Sequence, residues 1–147
     1  MNDKSKEVNA SINLINDRLH FKGIIEGNTT PISIDYIPPL GDNLGYTSLE
    51  LLLLSLSSCI GTAVLTFLRK MKKNINGFEI NSKGIRKEEH PTGFKKIFIE
   101  INIKSPDVTE EDLSKVIQLA EDTYCPVWSM IKGNTEVIVS KNIISEK

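Results

Sequence analysis

Cys59 and Cys125 are the chain's two cysteines, 66 positions apart. Two thiols that meet in the fold could be two halves of one reactive site, cycling between dithiol and disulfide by exchange. Each residue also has a plainer reading. Free cysteine is among the most buried residue types and behaves as a small hydrophobe.

Cys125 lies in "EDTYCPVWSM" (121–130). Proline suits the first position of a helix, which makes Cys125 the expected N-cap. A sulfur there faces unpaired N–H groups and the positive end of the helix dipole. Both favour thiolate, so the spacing predicts a pKa below the free value of about 8.5. Cys59 lies in "LLLLSLSSCIGTAV". One and two turns away on its helical face stand Leu52, Ser55, Leu56, Thr62, Ala63 and Thr66. Small residues around the sulfur let another backbone or a small substrate come close.

Other chemistry has less support. Two cysteines and two histidines, His20 and His90, are scattered, whereas a zinc site needs three or four clustered ligands. His90 precedes a proline in a turn and reads as structural or exposed. Lys95, Lys96 and "RKMKK" (69–73) read as solvated faces. Tyr124, Trp128 and Met130 could wall an apolar pocket, although core packing is the simpler role. There is no Gly-rich phosphate loop, paired acid/base carboxylates or Ser-His-Asp pattern.

The chain has 147 residues, 39% hydrophobic and 25% charged, with a formal net charge of −1. That suits one soluble α+β domain over residues 1–147, and gives no pull toward nucleic acid or an anionic membrane surface. "MNDKSKEVNAS" is polar, so no secretory leader is expected. The cytoplasm is then the expected compartment, where thiols stay reduced.

The elements that must carry the cysteines follow from patterning. "VNASINLI" (8–15), "RLHFKGII" (18–25) and "PISIDY" (31–36) read as a meander of three short strands. "IPPLGDNLGY" (37–46) is a loop, since its prolines and glycines disfavour helix and ladder alike. A long helix then runs from Thr47 or Ser48 to about Lys73. Ser48 is a candidate N-cap, with Glu50 in the first turn. This helix is apolar nearly all round and long enough to cross a bilayer. Its serines and threonines, and the β-type flanks, favour a central helix covered on every side. So small a domain cannot cover it alone, which points to a second copy of the chain. Two strands follow (77–89 and 93–105), the second burying Phe94, Ile97, Ile99, Ile101 and Ile103. Thr109 and Asp112 form a capping box for the next helix. A short helix from Pro126 to Gly133 and a closing strand, "TEVIVSKNI", complete a bent antiparallel sheet packed on helices.

The Pro/Gly-rich loop before "LELLLLSLSSC", the segment "EEHPTGFKKIFIEINI" and the segment "EDTYCPVWSMI" together resemble the OsmC/Ohr family, in the family's order and over nearly the whole chain. The resemblance implies an intertwined homodimer with its sites at the subunit interface. It also implies reduction of organic hydroperoxides and hydrogen peroxide in stress defence, with an external dithiol reductant and no metal or prosthetic group. Cys59 matches the attacking cysteine of the family and Cys125 its resolving partner. The dipole reading instead makes Cys125 the more acidic thiol, and the family pattern is preferred. The family also places a Glu near the start of the long helix and an Arg in the N-terminal strands. Glu50 and Arg18 are the matching candidates. Glu50 stands nine residues before Cys59, whereas the family's glutamate lies ten before, where this chain has Leu49. Glu50 is therefore either a site group or a dipole partner of the first turn. The rival reading is a non-catalytic dimer that binds a small ligand or senses redox state.

Overall fold

The computed structural model describes residues 6–145. Its architecture is mixed α+β, with two three-stranded sheets. The chain divides after Leu51 into two compact units.

In the N-terminal unit, β1 (Ala10–Leu14), β2 (Phe21–Ile25) and β3 (Ile32–Ile34) form an antiparallel meander in the order β1-β2-β3. The expected loop follows and returns to β3 through a bridge between Ile34 and Tyr46. Asp35 organises this loop. Its carboxylate accepts the N–H groups of Tyr36 (2.7 Å), Leu44 (3.1 Å) and Asp42 (3.2 Å). Burial works against its charge. The three N–H groups and the nearby His20 outweigh that and hold the carboxyl below its ordinary value. Gly41 is required here, because a Cβ would overlap the Tyr36 carbonyl.

Helix α1 (Ser48–Lys70) is capped by Thr47 rather than by Ser48. Glu50 N–H donates to Thr47 Oγ1 (3.2 Å) and Thr47 N–H donates to Glu50 Oε1 (2.7 Å), a reciprocal capping box. Ser48 lacks that geometry because Glu50 is only two residues beyond it. The helix stops where Lys72 takes a φ of 62°. The Lys72 and Lys73 N–H groups turn back to the carbonyls of Arg69 and Leu68, a Schellman ending.

Within the second unit, α1 buries one stripe: Leu56, Ile60, Gly61, Ala63, Val64 and Leu68. Gly61 lies against the next strand, where an added Cβ would sit 3.3 Å from the Phe78 ring. The 18-residue window of mean hydropathy 2.1 would suit a bilayer, but only 33% of it is buried in the chain, and that part is the sheet-facing stripe. Among the described residues the helix is not covered on every side, and Leu54 remains 51% exposed.

The second sheet has the order β4 (Gly77–Arg86), β5 (Phe94–Ser105), β6 (Glu136–Ser145). All five expected apolar positions of β5 are buried. Phe94 reaches the same face as the odd-numbered isoleucines through a register shift at Ile85/Arg86. One pairing differs from an all-antiparallel sheet, since β5 and β6 are parallel. The reason is the connection: α2 (Glu110–Leu119) and α3 (Pro126–Ile131) carry the chain back to the starting end. The Thr109–Asp112 capping box is present. Lys73 Nζ binds Asp112 (3.1 Å) and the Asp107 carbonyl (3.1 Å), tying the end of α1 to the start of α2.

Candidate active site

Cys59 occupies the middle of α1 and is half-buried. Two nearby hydroxyls bond to the helix backbone, whereas the buried Ser57 Oγ has no partner among the described residues. Ser58 Oγ donates to the Ser55 carbonyl (3.1 Å) and Thr62 Oγ1 to the Ser58 carbonyl (2.8 Å).

Cys125 is positioned by a turn the sequence did not announce. Between α2 and α3, residues Ala120–Tyr124 form one π-helical turn, closed by Cys125 N–H donating to the Ala120 carbonyl (2.9 Å). The cause is Pro126. A residue before proline is pushed out of the helical region, and Cys125 adopts φ −95° and ψ 100°. The preceding helix ends by admitting one extra residue, a feature often found at functional sites. Cys125 thereby becomes the N-cap of α3, as expected, and its Sγ accepts the Trp128 N–H (3.4 Å). Two contacts hold the turn. Lys132 Nζ pairs with Glu121 (2.9 Å) at the far end of α3, and the Tyr124 ring lies 4.7 Å from the Phe67 ring on α1.

Folding brings Cys59 close enough to act on the ionisation of Cys125. Both are free thiols, and Cys125 is only 2% exposed. The dipole expectation for Cys125 is corrected by this environment. Burial pushes its thiol up, and the neighbouring Cys59 sulfur adds to that. The N–H groups of Trp128 and Val127 pull the other way and lose, leaving the thiol at about 12. A six-residue helix offers two N–H groups and a weak dipole, too little to offset removal from water and an adjacent sulfur charge.

The aromatic and sulfur neighbours divide. Trp128 is core, whereas Tyr124 and Met130 are 47% and 76% exposed.

The two charged candidates are engaged elsewhere. Glu50 belongs to the α1 capping box. Nine residues of helix put it about 13.5 Å along the axis from Cys59 and about half a turn round. Arg18 pairs with Asp42 and donates to the Pro39 carbonyl within the N-terminal unit.

The profile of the OsmC-like protein family matches residues 41–140, and the chain belongs to that family. Its fold is shared with a hypothetical protein from Aquifex aeolicus (TM-score 0.84, 26% identity, covering 97% of this chain and 100% of that one). An OsmC-like protein from Mycoplasma pneumoniae aligns over 97% of this chain and 99% of its own (TM-score 0.78, 20% identity). An organic hydroperoxide resistance protein from Elizabethkingia anophelis aligns over 98% and 100% (TM-score 0.71, 19% identity). At such identities the last two likenesses speak for the fold.

Proposed function

We propose that the protein is a thiol-dependent hydroperoxide reductase that acts as a homodimer in peroxide-stress defence. The single observation that carries this reading is that two free thiols, 66 residues apart in sequence, lie near enough in the fold for Cys59 to raise the Cys125 thiol. Cys59 is the attacking sulfur, because Cys125 holds its proton at neutral pH. The substrate's O–O bond breaks as the Cys59 thiolate takes one oxygen. Cys125 then closes the disulfide, and an external dithiol regenerates the pair. The hydroperoxide resistance relative from Elizabethkingia anophelis supports the substrate class.

The homodimer is supported by apolar surface that a single chain leaves open. Ile12, Leu14, Leu40, Leu44, Tyr46 and Leu54 are all exposed, and a second copy would cover them. Arg18 is the cation we assign to the attacking thiolate. Serving it requires the guanidinium to exchange Asp42 for the site. Glu50 is assigned the lesser part, orienting charge from the first turn of α1 while capping it.

The test is consumption of cumene hydroperoxide and hydrogen peroxide with dithiothreitol or a dihydrolipoyl carrier, wild type against Cys59→Ser. Turnover that disappears in the variant supports the reading, and equal turnover ends it. The occupied states of Arg18 and Glu50 favour one rival, a redox-sensing dimer. That protein would oxidise once per thiol pair and show no steady-state turnover with any reductant.

A further inference from the structure

Cys125 is sealed at the start of α3, 2% exposed, with its Sγ accepting the Trp128 N–H (3.4 Å). Disulfide bonding draws two sulfurs to about 2 Å, and exchange needs an open approach to the sulfur attacked. A sealed sulfur offers neither, so the segment that carries it has to move. The packing shows which segment can. Ala120 and Trp128 are buried and fix the two ends. Between them Asp122, Thr123 and Tyr124 are exposed, so swinging them outward uncovers little apolar surface. This stretch is the π-helical turn, a rare geometry concentrated at functional sites. Its ties to the rest of the fold are few and lie at the surface. The Tyr124 ring rests 4.7 Å from the Phe67 ring, Lys132 Nζ reaches Glu121 (2.9 Å) and Asp122 (3.9 Å), and Gln118 donates to Asp122 (2.8 Å). One backbone bond, from Cys125 N–H to the Ala120 carbonyl (2.9 Å), closes the turn itself.

We infer that the Ala120–Tyr124 turn is a hinge that opens locally to bring the Cys125 sulfur into solvent, and that Tyr124 and Lys132 are the positioning residues that hold it shut. The inference deepens the hydroperoxide reductase reading above, in which Cys125 closes a disulfide that an external dithiol reopens. Opening breaks the ring contact, the Lys132 ion pairs and the bond to the Ala120 carbonyl. It leaves Trp128 and the isoleucines of β5 buried, so it costs far less than unfolding the chain. The two positioning residues act from opposite sides. Tyr124 ties the turn to α1, the helix that carries Cys59, and Lys132 ties it to the end of α3.

Alkylation of the reduced protein by iodoacetamide tests this, with the Cys125 peptide quantified by mass spectrometry across sub-denaturing urea. Local opening exposes little surface, so the Cys125 rate in wild type should stay nearly flat as urea rises. Lys132→Gln should raise that rate by about 2- to 5-fold, the scale of an exposed ion pair. Tyr124→Leu keeps an apolar side chain but loses the ring pair, and should raise it by about 3- to 10-fold. Thr109→Ala is the control. It weakens the cap at the far end of α2 and leaves the turn alone, so its Cys125 rate should match wild type. A rate that climbs with urea as steeply as global unfolding overturns the inference. So does an unchanged rate in both Lys132→Gln and Tyr124→Leu, or a Thr109→Ala rate raised as much as theirs. Failure of the underlying reading looks different: wild type would not consume hydroperoxide, while these labelling rates would stand as they are.

Discussion

The raised Cys125 thiol makes a definite statement about alkaline stability. In the unfolded chain this thiol ionises near its ordinary value of 9.0, whereas in the folded chain it holds its proton to about 12. Between those values the folded state binds one proton more than the unfolded state, so stability falls as pH rises. The slope is about 1.4 kcal/mol per pH unit. Below pH 9 the group adds no slope, and by pH 10.5 the accumulated loss is about 2 kcal/mol. Urea unfolding under reducing conditions, at one protein concentration, would compare wild type with Cys125→Ala at pH 8.0 and 10.5. The variant should be less stable at pH 8.0, having lost the packed sulfur, and the gap should narrow by about 2 kcal/mol at pH 10.5. A Cys59→Ser background removes the neighbouring sulfur and its charge but leaves burial intact. Since burial is the leading cause, most of the slope should survive there. A gap that does not change with pH would refute the claim that folding holds this proton, and with it the assignment of Cys59 as first attacker.

Three further outcomes follow from the packing. Gly84→Ala drives a methyl into the buried Phe94 ring, which should cost about 1–3 kcal/mol by overpacking and lower the midpoint of thermal unfolding. Thr109→Ala removes the α2 capping box and should cost about 1 kcal/mol in urea unfolding, while leaving the reactivity of the cysteines unchanged. Asp35 has a depressed folded pKa, so its contribution is present above its unfolded value near 3.8 and is lost as pH falls through the folded one. Asp35→Asn should therefore speed amide exchange at Tyr36, Asp42 and Leu44 at pH 7, and the difference from wild type should shrink under acid.

Much of this molecule was legible in local chemistry. Alternation in "FKKIFIEINI" gave the buried face of β5, because a strand's period of two assigns sides without reference to the rest of the fold. Thr109 with Asp112, and Pro126 after Cys125, marked helix starts whose causes are local backbone sterics and capping. The glycine at 133, with its φ of 90°, likewise marked the end of α3. The order of the motifs around both cysteines pointed to the OsmC-like family, which the family profile bears out.

What stayed hidden depends on partners distant in sequence. The π turn at Ala120–Tyr124 arises where helix continuation meets the steric demand of Pro126, and no residue pattern displays that compromise. Thr47 and Ser48 are both good N-cap types, and only the position of Glu50 relative to each decided between them. The parallel pairing of β5 with β6 was implicit in the two intervening helices, but strand direction is a property of the whole crossover. The ionisation of Cys125 is the plainest case. Its sequence neighbours supply the N–H groups that favour thiolate. The core around it, together with a sulfur 66 residues away, supplies the larger opposing effects. Desolvation and charge proximity act through space, so only the folded chain could decide which of the two thiols keeps its proton.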